Sequence, residues 1–134
     1  MNSDTNNTVK KPRPRPLSPH LQVYSWLITS TTSILHRLTG MALVLGSLLL
    51  VTWLAITAFM PEQYECFSNF CASPVGMIIL VGFTWAFFYH LSNGIRHLIW
   101  DMGRGFAVAT VNVTGPIVIA SSIILTAITW AFIL

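Results

Sequence analysis

Charge is what this chain has least of. Only 8% of its 134 residues are Asp, Glu, Lys or Arg, and four of those are acidic. None lies between Arg37 and Glu62, between Glu65 and Arg96, or after Arg104. Gaps of that length exclude an ordinary water-soluble domain, whose surface carries charge along the whole chain. Cysteine is nearly absent: Cys66 and Cys71 stand five residues apart and make a poor metal site without further ligands. Glycine-rich phosphate loops, nucleophile triads, internal repeats and low-complexity segments are missing. The basic residues Lys10, Lys11, Arg13 and Arg15 are interleaved with proline, which makes a short tail rather than a face for nucleic acid, so no nucleic-acid partner is expected.

What is there is apolar length. Hydrophobic residues make up 54% of the chain and its mean hydropathy is +0.67. Each uncharged gap exceeds the roughly 20 residues that a helix needs to cross about 30 Å of hydrocarbon. The sequence therefore predicts three spans, near residues 31–60, 74–99 and 112–134. Backbone groups cannot be left open in lipid, and the alternation of a barrel strand is absent, so these spans are helices. The fold class expected is an all-α membrane protein, three transmembrane helices behind an N-terminal interfacial segment. Residues 1–28 form the tail and interfacial segment, and residues 29–134 the three-helix anchor domain.

Charge placement orients it. The basic tail precedes the first span, Arg37 sits at its start, and Arg96 and Arg104 flank the second connection, whereas the first connection carries only Glu62 and Glu65. The positive-inside rule then puts the N-terminus and second connection in the cytoplasm, or a mitochondrial matrix, and the C-terminus outside. Residues 1–16 lack the apolar core of a signal peptide. From Arg15 to Tyr24, Pro19 breaks any helix, and Leu21, Val23, Tyr24, Trp26 and Leu27 suit the headgroup layer as an anchor or as a dock for a soluble partner. The loop from Pro61 to Pro74 carries both cysteines on the outer side, with a disulfide and two free thiols equally open. Gly40 and Gly46 permit close helix approach, and the hydroxyls of the third span suit packing.

Chemistry concentrates in two polar faces. At about 100° per residue, His90, Gly94, His97 and Asp101 share one helix face, and Ser33, His36, Arg37 and Gly40 share another. A histidine inside a membrane helix is costly without a partner, and a helical bundle with inward histidines is a standard haem scaffold. On the topology above the two faces lie at similar depth, with His90 about 10 Å deeper than His97. That depth suits an axial haem ligand, with His36, Arg37 and His97 placed to meet the propionates. Ser33 and Arg37 are placed to hydrogen-bond a quinone carbonyl. No other histidine reaches the depth of His90, so a second axial imidazole comes from another membrane subunit.

Taken together, Ser18-Pro-His-Leu followed by Tyr24, Ser33-Ile-Leu-His-Arg-Leu-Thr-Gly40, His90 with Gly94-Ile-Arg-His97, and Trp100-Asp101 resemble the cytochrome b membrane anchors of succinate dehydrogenase, respiratory complex II. The similarity runs from about Arg15 through Gly105. It implies His90 as the axial ligand of haem b, His36, Arg37 and His97 near its propionates, and a ubiquinone site including Ser33, Ile34 and Arg37. It also implies a second anchor subunit that shares the haem, an iron–sulphur subunit, a flavoprotein subunit, and no succinate site in this chain. Two other readings compete: the anchor of a fumarate reductase, and a non-redox scaffold or proton-path subunit using His90, His97 and Asp101. The N-terminus shows no clear transit-peptide pattern, so the bacterial inner membrane is expected in preference to the mitochondrial one.

Overall fold

The computed structural model describes residues 26–133, so the interfacial segment expected over 15–24 lies outside the described residues. Three long helices dominate: α1 (Ile28–Phe59), α3 (Pro74–Asp101) and α4 (Val108–Ile133), each long and apolar enough to cross a membrane. The expected spans thus appear with shifted ends. α1 starts three residues earlier than 31, because Ser30 and Thr31 donate their backbone N–H groups to the Leu27 carbonyl and Trp26 Nε1 donates to Thr31 Oγ1 at 2.6 Å. α4 starts at Val108 rather than 112, as the helix runs through polar Asn112 and also takes in Pro116.

The segment 61–74 is not an open loop. A 3₁₀ turn at Pro61–Gln63 leads into a short helix, α2 (Tyr64–Ala72), which ends at Ser73. Ser73 then caps α3: its Oγ accepts from the Gly76 N–H at 3.2 Å and donates to the Phe70 carbonyl at 2.6 Å, while Pro74 occupies the first helical position. Hydropathy alone overlooks α2 because nine residues cannot span, yet nothing inside Tyr64–Ala72 breaks a helix. Its half-buried Phe67 and Cys71, one turn apart, line an open pocket of about 280 Å³ with Trp53 of α1 and Phe83 of α3. Helicity also decides the cysteine question. Positions five apart in a helix point about 140° from one another, which cannot bring two Sγ atoms together. Cys66 and Cys71 are free thiols.

The bundle is polar inside and apolar outside. Thr32, Thr39, Asn93, Arg96, Ser122 and Thr126 are buried, and Ala86, Tyr89 and Val118 are the buried hydrophobic residues. Phe59, Ile78, Val108 and Phe132 stand more than 70% exposed. In water that arrangement would cost far more than it returned; in lipid it is the stable one, because hydrocarbon solvates the apolar faces and only the interior can satisfy polar groups. α3 is central, packed on both α1 and α4. Close approach to α1 depends on Gly46, where any Cβ would run into the Phe83 ring. The turn between α3 and α4 places Gly103 and Gly105 at φ +75° and +80°.

Replacing Gly46 with Leu should destabilise the α1–α3 contact by about 1–3 kcal/mol, seen as a lower thermal midpoint of the purified protein and partly reversed by adding Phe83→Ala. Alkylation without reductant should add two labels, on Cys66 and Cys71; an unlabelled pair that labels only after reduction would contradict the helical geometry of α2.

Candidate functional site

Two adjacent faces of α3 form the site. Tyr89, Asn93, Arg96 and Trp100 follow the 0, 4, 7, 11 spacing of one helix face, and the first three are buried against α1 and α4. One position further round lie His90, Gly94 and His97, half-buried. α1 meets the second face with His36. The His36 and His90 rings stack with centroids 4.0 Å apart and planes 10° from parallel. His97 lies 5.2 Å from His36 on its other contact and meets Trp100 edge-on at 5.0 Å. The two polar faces meet through their histidines: His36, His90 and His97 form one contiguous cluster, whereas Arg37 and Asp101 are exposed. The expectation that no other histidine reaches the depth of His90 does not hold, because the packing of α1 on α3 stacks the His36 ring directly on it.

The hydrogen bonds fix the tautomer of His90. Its Nδ1 lies 3.2 Å from the His36 carbonyl and 3.5 Å from Thr39 Oγ1. Thr39 Oγ1 has its own acceptors, the Leu35 and His36 carbonyls at 2.8 and 3.0 Å. A carbonyl only accepts, so this bond calls for the proton on Nδ1, the tautomer in which the neutral ring keeps its lone pair on Nε2. This is the arrangement of a metal-ligating histidine, whose second nitrogen donates to a backbone carbonyl. Gly40 eases the approach of the ring: a Cβ there would stand 3.2 Å from His90 Cε1, a tight contact.

Two further features suit a large flat ligand. Gly94, between His90 and His97, has nothing within 4 Å of where a Cβ would be, so the surface beside the histidines is open. His36 Nδ1 is buried without a hydrogen-bond partner among the described residues. No group of three or more His, Cys, Asp or Glu side chains among the described residues could hold a bare metal ion. Ser33 is half-buried, Arg37 is exposed, and Ile34 is 43% exposed, all on the flank of α1 beside His36. Asp101 is exposed at the end of α3.

Residues 11–129 match the family described as succinate dehydrogenase/fumarate reductase transmembrane subunit. The chain belongs to that family. It is 47% identical over 116 residues to the succinate dehydrogenase cytochrome b556 subunit of Rickettsia felis, covering 87% of this chain and 90% of that one. It is 42% identical over 115 residues to the subunit of the same name from Paracoccus denitrificans, covering 86% and 88%. The mitochondrial cytochrome b560 subunit of succinate dehydrogenase from Sus scrofa is 35% identical over 112 residues, covering 82% of this chain and 66% of that one.

Within this transmembrane subunit family member, sequence reasoning passed over the residue that ties the helices together. Arg96 reads from sequence as a charge flanking the second connection, yet it is 5% exposed. Its Nε donates to Thr114 Oγ1 at 3.0 Å, Nη1 to Thr32 Oγ1 at 3.2 Å and Asn93 Oδ1 at 3.4 Å, and Nη2 to the Val111 carbonyl at 3.4 Å. The guanidinium also lies over Trp100, 4.2 Å from the ring centroid. The signal was available in the spacing: Tyr89, Asn93, Arg96 and Trp100 make a second polar and aromatic face beside the histidine one.

Proposed function

We propose that this chain is the cytochrome b membrane anchor of a succinate:ubiquinone oxidoreductase, with His90 as an axial ligand of haem b through Nε2. The observation that carries the reading is the His90 Nδ1–H bond to the His36 carbonyl, which leaves Nε2 for iron amid a cluster of three histidines. The names of the relatives, cytochrome b556 and b560 subunits of succinate dehydrogenase, support the same cofactor and favour succinate oxidation over the fumarate-reducing direction and over a non-redox scaffold. Bound haem b supplies a one-electron store within the membrane.

The chain's own residues then divide the work. His36 orients His90 through its carbonyl and, with Arg37 and His97, offers positive or hydrogen-bonding groups to the propionates. Ser33 Oγ and the Arg37 guanidinium hydrogen-bond a ubiquinone carbonyl, and exposed Ile34 provides an apolar wall that partner subunits complete. A second anchor subunit contributes the other imidazole and shares the haem. A flavoprotein subunit oxidises succinate, and an iron–sulphur subunit carries two electrons to ubiquinone, which takes up two protons and leaves as ubiquinol. This chain supplies no succinate site and is not catalytic alone. The basic N-terminus and Arg104 face the cytoplasm of a bacterial inner membrane, and Glu62 and Glu65 face out.

His90→Leu should weaken or alter haem binding in the purified complex, read as a diminished or shifted b-type band in the reduced-minus-oxidised spectrum; an unchanged spectrum would remove His90 from the ligand role. Arg37→Ala should lower kcat/KM for ubiquinone by about 10- to 100-fold, the loss of a charge-assisted hydrogen bond, while dye-linked succinate oxidation is maintained. Equal loss of both activities would point to failed assembly.

A further inference from the structure

Two side chains that face neither lipid nor the histidine cluster converge on one residue of α1. Tyr89, 0% exposed, donates its hydroxyl to the Thr32 carbonyl at 3.1 Å. Arg96 donates from Nη1 to Thr32 Oγ1 at 3.2 Å, and that hydroxyl passes its own proton to the Thr29 carbonyl at 3.1 Å. Thr32 is 2% exposed, and its carbonyl and side chain are thus both held from α3. Arg96 is itself fixed to α4 through Thr114 and the Val111 carbonyl. The position of Thr32 is therefore referred to two other helices at once.

Thr32 immediately precedes Ser33 and Ile34 and lies one turn before His36. A helix transmits displacement rigidly over such a distance: a shift of one residue moves every side chain by about 1.5 Å along the axis and about 100° around it. Apolar side chains would fill the same interior at less cost, since a guanidinium taken out of water must be repaid by good geometry with every partner. What the polar set adds is a single register. We infer that Tyr89, Thr32 and Arg96 form a clamp that positions Ser33 and Arg37 for quinone; they are positioning residues, and none of them reaches the ligand. The inference rests on the quinone site proposed above.

The test uses the assembled complex in native membranes, with a short-chain ubiquinone analogue as substrate. Tyr89→Phe removes only the hydroxyl on the Thr32 carbonyl, and Thr32→Val removes the acceptor for Arg96 together with the bond to the Thr29 carbonyl within α1. Each should raise KM for the quinone about three- to tenfold, with kcat at saturating quinone, dye-linked succinate oxidation and haem per flavin all within about twofold of the unsubstituted complex. Arg96→Lys should fall between the unsubstituted complex and Arg96→Gln in the same KM. Ser33→Ala, measured alongside, separates the two readings. If Ser33→Ala raises KM while Tyr89→Phe and Thr32→Val leave it unchanged, the clamp is overturned and the quinone site stands. If Ser33→Ala also leaves KM unchanged, both are overturned. A parallel fall of dye-linked activity, quinone activity and haem content in the clamp variants would reduce the three residues to structural packing and overturn the inference.

Discussion

Hydrocarbon offers no hydrogen bonds, and a polar group left unpaired in it costs on the order of several kcal/mol. That cost organises the whole bundle. Thr32, Thr39, Asn93, Arg96, Ser122 and Thr126 are buried because the interior alone can pair them, and large aliphatic side chains turn outward because lipid accepts them freely. Several hydroxyls are satisfied within their own helix, as Thr39 is by the Leu35 carbonyl and Thr126 by Ser122. The bonds that cross between helices are fewer and lie towards one end: Tyr89 and Arg96 to Thr32, His90 to His36, Arg96 to Thr114.

The histidine cluster grows out of the same logic. An imidazole in a membrane helix needs a partner for each nitrogen, and His90 finds one for Nδ1 in a carbonyl of the neighbouring helix. The stacking of His36 on His90 and the approach of His97 follow from two helices meeting at a glycine, Gly40, where no Cβ intervenes. The ring that would face iron is held by the protein's own backbone, in the tautomer ligation requires. The cofactor and quinone readings lie side by side on α1, with His36 turned inward and Ser33, Ile34 and Arg37 on its flank.

Much of this was legible from residues alone, for identifiable reasons. Charge gaps located three spans, since lipid forbids nearly everything else there, and helical spacing put His90 with His97 on one face and His36 with Ser33 and Arg37 on another; that the His36 ring lies level with that of His90 was not legible, because it depends on how α1 and α3 pack. The ends were less readable: capping at Ser73 and the Trp26 bond to Thr31 set boundaries that hydropathy averages away. α2 escaped because a nine-residue helix leaves no hydropathy signature, and with it went the answer on Cys66 and Cys71. Arg96 was misjudged because a cation near a span end is ordinarily a surface charge; only the positions of Thr32, Val111 and Thr114 reveal enough acceptors to keep it inside.

Arg96 also has consequences for the order in which the chain is made. Its acceptors on α1 and α3 are synthesised before or beside it, but Thr114 and the Val111 carbonyl come 15 to 18 residues later. Until that stretch leaves the ribosome, the guanidinium lacks half of its neutral acceptors, and release of α3 into bare lipid is unfavourable. The same pairing therefore favours insertion of α3 together with α4, across the glycine turn at Gly103 and Gly105 that joins them.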